Sequence, residues 1–383
     1  MDELKDLHAL AKALGIYTRY TDGLGRKVVV SPETLVKVAA AVGAPVAQPA
    51  DATDALRALE PGGGAGRLPP VLVAWDGALP PIAWPGEARA TLTLEDGESV
   101  GLERAGEELR AARTLPAGYH RLAVEAAGRV ETCTVIAAPV QAFRRPDDAD
   151  GARRSWGVGT ELAALRSARS RSLADLKDLE TLCRWVHGKG GDLVTMLPLG
   201  PTFNGDPPEP SPYSPVSRLF WSELILDLGD AHRPVPRPPT LDVTRADAEV
   251  RAALAGRPAP EDAQVDSELA RYARFRGAQA RLGRNWRAWP AAARAGNPGP
   301  AEVDGEEERF HLVAQALVRR QLHDLRTRLD QDGMRLGLDL AVGVHPDGYD
   351  PWSRQTLFGE GMSVGAPPDM GFPSGQDWGF SPV

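Results

Sequence analysis

Along residues 2–14, apolar side chains recur at Leu4, Leu7, Leu10, Ala11 and Leu14, with Gly15 behind them. This three-to-four spacing predicts an amphipathic helix closed by a glycine. Ser31-Pro32-Glu33-Thr34 places an N-cap before a proline at the first helical position, and a second helix runs through Leu35, Val38, Ala39 and Val42 to Gly43. Between them, Tyr17 to Val30 reads as turns with a short strand over Val28–Val30, and a third short helix covers Asp54–Glu60. From Pro69 to Pro139 the period falls to two. Val71–Trp75, Ala90–Leu94, Arg121–Glu125 and Val130–Val135 read as short strands separated by Asp96-Gly97, Ala117-Gly118 and Ala127-Gly128 turns. Such a run predicts a small β-sandwich. Cys133 alternates with Val135 and reads as a small buried hydrophobe.

After a Pro- and Asp-containing connection over 139–151 the pattern changes again. A strand begins at Trp156, and a helix starting at Ser172 packs through Leu176, Leu179, Leu182, Cys183 and Val186. Asp192–Leu199 reads as a buried strand followed by a long proline-rich loop. Residues 231–305 are rich in proline and alanine, with short helical pieces, and read as an insertion. A long helix over Glu306–Gln331 turns Leu312, Ala316, Val318, Leu322, Leu325 and Leu329 inward, and Met334–Val342 is the next strand. Strand, helix, strand, insertion, helix, strand is the rhythm of a parallel βα barrel or a doubly wound sheet.

Composition narrows the function classes. The chain has 383 residues, 42% of them hydrophobic and 25% charged, which is globular and long enough for two or three domains. The net charge of −8 argues against a nucleic-acid footprint. No run approaches the ~20 apolar residues of a membrane span, and the first ten residues lack the apolar run of a signal peptide. Two cysteines, Cys133 and Cys183, support neither a disulfide framework nor a zinc-finger array. These features predict a cytoplasmic protein without a membrane or nucleic-acid partner. Six lysines among 44 basic residues reflect coding bias.

Several candidate motifs are weak. The glycine run over 61–66 lacks the Gly-Lys-Ser/Thr ending of a phosphate loop and reads as a linker. Gly157-Val158-Gly159 lacks the third glycine and the closing acid of a dinucleotide fingerprint. The seven histidines show no metal-ligand spacing, so neither metal nor cofactor is expected; His311 and His323 read as solvated or capping residues of the long helix.

Three segments carry chemistry. Ser211-Pro212-Tyr213-Ser214-Pro215-Val216-Ser217-Arg218 is a stiff loop after a strand, where a parallel barrel builds its active face. Tyr213 offers a ring and a hydroxyl suited to stacking on a sugar. Asp339 to Trp352 sets acids and a tryptophan after the next strand, and Val364–Asp369 precedes Gly375-Gln376-Asp377-Trp378-Gly379. A pairing of Asp339 with Asp347 as catalytic carboxylates is also open at this point.

These segments, in this order, resemble the amylomaltase or 4-α-glucanotransferase family. The resemblance is carried by Leu-Ala-Ala-Leu-Arg-Ser-x-Arg-Ser at 162–170, the 211–220 loop, Tyr272-Ala-Arg-Phe with Trp289-Pro290, the 339–344 strand and Ser-Val-Gly-Ala-Pro-Pro-Asp at 363–369. Leu115-Pro116-x-Gly-Tyr119-His120-Arg121-Leu122 resembles the N-terminal extension of its longer bacterial members. The resemblance implies a multidomain chain: a helical N-terminal unit (1–66), a β-sandwich (69–140), and an incomplete (β/α)8 TIM barrel (152–383) with a helical insertion at about 231–305. It implies transfer of a 1,4-α-glucan segment to the 4-hydroxyl of an acceptor glucose or maltodextrin by a retaining double displacement, with two carboxyls about 5–5.5 Å apart. By the same resemblance Tyr213 stacks in the donor site, Asp347 binds sugar and Trp378 lines the cleft.

The family's nucleophile lies in an Arg-x-Asp-His segment downstream of Gly-Gln-x-Trp-Gly, and its acid/base glutamate lies further on. Neither segment occurs in these 383 residues, so no catalytic carboxylate is assigned. Arg245-Ala246-Asp247 lies in the insertion and reads as chance. A closed barrel takes about 250 residues, and 152–383 less the insertion is too short. The expectation is an N-terminal portion, inactive alone, whose partner is the missing C-terminal half of the barrel; the alternative is a maltodextrin-binding pseudoenzyme or partner subunit. The sandwich is expected to brace, since no exposed aromatic row is evident in its strands.

Overall fold

The computed structural model describes residues 2–59, 68–142, 155–169, 171–205, 207–209, 211–229, 240–261 and 265–383. The 61–66 linker, most of the 139–151 connection and residues 231–239 lie outside them. Contacts divide the chain into two compact units: Met1–Tyr20 with Lys27–Arg153, and Thr21–Arg26 with Arg154–Val383.

The first unit opens with helix α1 (Asp2–Ala13). Strands β1 (Arg19–Thr21) and β2 (Lys27–Val29) follow, then α2 (Pro32–Ala41) and α3 (Ala52–Leu59). Ser31 accepts the Thr34 N–H and caps α2. Leu7, Leu10, Ala11, Leu35 and Ala39 meet in one small core; each fully buried leucine contributes about 2–3 kcal/mol. Strands β3 (Val71–Trp75), β4 (Ile82–Ala83), β5 (Arg89–Thr93), β6 (Ser99–Ala105), β7 (Glu108–Ala111), β8 (Gly118–Ala126) and β9 (Arg129–Ala138) form one sheet of order β3-β9-β8-β5-β6-β7-β4. All neighbours pair antiparallel except β3 with β9. Leu92, Leu122, Val124, Cys133 and Val135 are buried together, and burial pushes the Cys133 thiol pKa up.

The four strands read from alternation are present. The missed ones, β4, β6 and β7, are short or carry few inward side chains; β6 fully buries only Val100. The Ala127-Gly128 turn puts both residues at positive φ, +48° and +73°, the geometry that tightest hairpins favour. The sequence shows no aromatic row on these strands, and the structure exposes two single aromatics there. Trp75 and Tyr119 are both exposed on the outer face, because the inward positions beside them, Ala74 and His120, take the core.

In the second unit, strands β10 (Gly157–Thr160), β11 (Leu193–Met196) and β12 (Arg335–Leu338) form a parallel sheet in that order. Helix α4 (Leu176–Gly188) joins β10 to β11. Helices α5 (Val243–Leu254), α6 (Ser267–Leu282), α7 (Ala291–Arg294) and α8 (Gly305–Gln331) lie between β11 and β12, and α9 (Tyr349–Ser353), β13 (Gly365–Ala366) and β14 (Gln376–Asp377) follow. Asp175 caps α4 by accepting from the N–H groups of Lys177 and Asp178. Gly157 is glycine because of close approach: a Cβ there would stand 2.2 Å from the Leu193 carbonyl. The Gly-x-Gly pair therefore serves strand packing, not a dinucleotide.

Two cores sit on opposite flanks of α8. Val313, Ala314 and Val318 join Leu179, Cys183, Val194 and Met196. Phe220, Tyr272, Phe275, Trp289, Tyr349 and Trp352 form the second core, with Leu312 packed against it. Phe220 stacks on Tyr272 at 4.0 Å and 16°. The reading of 231–305 as short helical pieces is corrected here. The 16-residue α6 buries Leu269, Tyr272, Ala273 and Phe275, so the segment supplies core. The assignment of His311 to solvent is corrected too. It is fully buried, its Nε2 lies 3.0 Å from Glu307, and its pKa is lowered chiefly by burial. Arg245-Ala246-Asp247 sits on α5, where Asp247 accepts from Asn204 and Arg251 and serves structure.

Candidate functional site

Two loops are zipped together after the sheet. The His345 N–H donates to the Pro215 carbonyl at 2.8 Å, and the Tyr349 N–H to the Val216 carbonyl at 2.7 Å. Buried Asp350 accepts from the Ser217 hydroxyl at 2.5 Å and from the Arg218 N–H at 3.0 Å. The stiff 211–218 loop is thus locked onto the segment after β12, as two separate sequence motifs meeting in space. Within it, Ser211 Oγ accepts the Tyr213 N–H at 3.2 Å, and Glu209 accepts the Ser211 N–H at 3.2 Å.

Above this frame lies an open cavity of about 510 Å³. Glu209, Ser211, Tyr213, Ser214, Val342, His345, Pro346, Trp378, Gly379 and Phe380 line it. Tyr213 and Trp378, both proposed from sequence, therefore share one cleft, each partly exposed. The Tyr213 hydroxyl donates to Asp339 Oδ2 at 2.6 Å, and this hydrogen bond raises the phenol pKa. Trp378 leans on buried Phe380 at 6.1 Å between ring centroids.

Asp347 is not part of the cavity wall; it stands behind His345. Its backbone N–H donates to His345 Nδ1 at 2.9 Å. Its carboxylate lies 3.5 Å from Arg287 Nη1 and 3.9 Å from Arg284 Nε. Burial raises its pKa and the two arginines oppose the rise. The Arg284 guanidinium lies 4.0 Å from the Phe203 ring centroid and touches His345 Nε2. Both imidazole nitrogens thus face N–H donors, and the Glu209 carboxylate stands 4.0 Å from Nε2, outside hydrogen-bond reach. Burial first, then Arg284 and Arg287, hold the His345 pKa down to about 4. Asp339 and Asp347 have different partners, so each carboxylate has its own structural tie.

Sequence reasoning missed Arg284, Arg287, Gln279, Glu209 and His345. The first three lie within the segment read as an insertion. Gln279 Nε2 donates to the Asp347 carbonyl at 3.0 Å, and Trp286 Nε1 and Arg287 Nη1 each donate to the Pro346 carbonyl at 3.1 Å. One usable signal existed: Arg284 and Arg287 lie three apart beside Trp286 and Trp289. Among the described residues no group of three or more His, Cys, Asp or Glu could hold a metal ion, and no helix is long and apolar enough to cross a membrane. The cleft combines two partly exposed aromatic faces with Glu209 and His345 in its wall. That combination suits a neutral, hydroxyl-rich ligand with apolar faces.

The family model described as 4-alpha-glucanotransferase matches residues 160–259 and 260–383, and the MalQ N-terminal beta sandwich domain matches 67–139. A 4-alpha-glucanotransferase of Mycobacterium tuberculosis (strain ATCC 25618 / H37Rv) is 32% identical over 97% of this chain and 60% of its own length. One from Haemophilus influenzae is 25% identical over 79% of this chain and 51% of its own length. The chain thus spans about 60% or less of the curated relatives it matches. The fold is similar to that in the crystal structure of amylomaltase from Corynebacterium glutamicum. The TM-score is 0.75 at 24% identity, over 99% of this chain and 60% of that one.

Proposed function

This chain belongs to the 4-alpha-glucanotransferase family, and we propose that its second unit is the glucan-binding part of such an enzyme. The reaction is transfer of a 1,4-α-glucan segment to the 4-hydroxyl of an acceptor glucose or maltodextrin, in the cytoplasm, by a retaining double displacement. Tyr213 stacks on a donor sugar, Trp378 lines the same cleft, and Asp347 acts on the sugar through His345, whose Nδ1 accepts its backbone N–H. The observation that carries this reading is the convergence of Tyr213 and Trp378 on one cleft of about 510 Å³ with His345 in its wall.

We read β10, β11 and β12 as part of a (β/α)8 barrel. Leu338, Leu340 and Val342 are exposed at and beyond the end of β12. Apolar residues so exposed beside an unpaired strand edge favour cover by further polypeptide, which is the place for the rest of the barrel. The retaining mechanism needs two carboxyls about 5–5.5 Å apart, and the family's Arg-x-Asp-His segment does not occur in these residues. A polypeptide of these 383 residues is therefore expected to bind maltodextrin and not to transfer it.

The test is a titration of maltoheptaose against tryptophan fluorescence, with Trp378→Ala as control, alongside an assay for glucose release from maltotriose. Saturable quenching lost in the variant is expected, with no glucose. Unchanged binding in Trp378→Ala would remove the cleft assignment. Glucose together with longer maltodextrins would show that these residues catalyse by themselves.

A further inference from the structure

Twenty residues into the chain, the turn Thr21–Arg26 is counted with the second unit. Asp22 closes it. Its Oδ1 accepts from the N–H groups of Leu24 at 3.0 Å and Arg26 at 2.8 Å, and its Oδ2 takes Arg26 Nε at 2.7 Å. The Gly23 N–H donates to the Pro368 carbonyl at 2.9 Å. Gly23 is not among the positive-φ glycines, so its backbone would accept other residues. What demands glycine is the neighbour. A Cβ there would stand 2.8 Å from Asp369 Cβ and 3.1 Å from both Asp369 Cα and the Pro368 carbonyl oxygen.

Pro368 and Asp369 belong to the tip of the hairpin whose arms are β13 and β14. The strand ladder between the arms has two residue pairs, Gly365 with Asp377 and Ala366 with Gln376. A ladder that short does not hold itself in water. Asp369 shapes the tip by accepting from the N–H groups of Gly371 at 2.8 Å and Phe372 at 2.7 Å. Directly after the second arm comes Trp378, whose N–H donates to the Val364 carbonyl at 2.9 Å. One end of the hairpin thus touches Gly23 and the other carries the cleft tryptophan.

We propose that the Asp22–Arg26 turn is a positioning element for Trp378, pinning the hairpin tip through Gly23 so that its base holds the ring in the cleft. The consequence for affinity rests on the glucan-binding reading of that cleft; the mechanical link does not.

Hydrogen exchange read by mass spectrometry on the 383-residue chain separates the two. Wild type, Gly23→Val and Asp22→Ala are compared. The first adds bulk against Asp369; the second loosens the turn without adding any. Amides over 364–378 are expected to exchange about fivefold faster in both variants, the equivalent of one lost backbone hydrogen bond, with α8 amides unchanged. Maltoheptaose affinity should fall about as much in Gly23→Val, and Gly23→Val should cause no further fall in a chain that already carries Trp378→Ala. Unchanged exchange over 364–378 in both variants would overturn the proposal, as would fully additive losses in the double variant. If α8 also loses protection in Gly23→Val, Asp22→Ala decides. If wild type binds no maltoheptaose, the glucan reading fails and the exchange result alone decides the link.

Discussion

Lowering the pH from 7 to 4 should cost this chain about 3 kcal/mol of folding stability through His345 alone. The ring is held at a pKa of about 4 by burial, Arg284 and Arg287, against 6.5 for the ordinary group, and its side chain is 13% exposed. A depressed folded-state pKa means the unfolded chain binds the proton more readily. The contribution is therefore complete above pH 6.5 and is lost as the pH falls through 4. At about 1.4 kcal/mol per pH unit, the loss is about 1.4 kcal/mol at pH 5.5 and about 3 kcal/mol at pH 4. Urea denaturation at pH 7, 5.5 and 4 measures it, with His345→Asn as reference. Asparagine can keep an acceptor for the Asp347 N–H and does not titrate. Glu307, held below the usual carboxylate range, and Asp347, raised by burial, are present in both proteins and cancel in the comparison. Wild type should lose about 3 kcal/mol more than the variant between pH 7 and 4. Parallel losses would refute the electrostatic account of the cleft floor.

Tyr213→Phe keeps the ring but removes its 2.6 Å bond to Asp339; maltoheptaose affinity should fall several-fold by fluorescence titration, and equal affinity would show that the bond does not orient the ring. Glu307→Gln removes the charge and one of the two oxygens that accept from Arg251, at 2.6 and 2.9 Å, so the single amide oxygen left must serve Arg251 and His311 between them. The pair is part-buried, Arg251 37% and Glu307 18% exposed, so weakening its charge-assisted bonds should cost about 1.5–3 kcal/mol and lower the urea midpoint, and an unchanged midpoint would contradict this account. Asn204→Ala removes the donor shared by fully buried Glu223 and by Asp247; about 1–3 kcal/mol of stability should go, and an unchanged midpoint would mean another group satisfies Glu223.

Much of the backbone plan could be read without coordinates. Helix α1 and the start of α2 follow directly from apolar spacing, the Ser31 cap and Pro32, because local hydrogen bonding decides them. Strands β8 and β9 alternate strongly enough to show their inward faces, and α8 is legible from its length. The candidate site was legible only where a motif carried its own shape. Tyr213 was recognisable in its proline-stiffened loop, and Trp378 in its Gly-Gln-Asp-Trp-Gly setting. Asp347 was recognisable as a residue but not its surroundings, since Arg284 and Arg287 come from sixty or more positions upstream. Pattern failed on His311 for the same reason: a helix buried on two flanks has no polar side to which a histidine can be assigned.

The sequence by itself determined which segments become helix or strand, where caps and turns fall, and which loop residues have the chemistry to meet a sugar. Those properties depend on neighbours within about four positions, through backbone conformation and local hydrogen bonds. Tertiary structure decided which loops share a cleft, that the 231–305 segment supplies core and a wall of charged groups, and that Gly23 meets Asp369. Such contacts arise when buried apolar surface on α6, α8 and β11 is packed from several directions at once. Packing sets them, and no local window of sequence contains both partners.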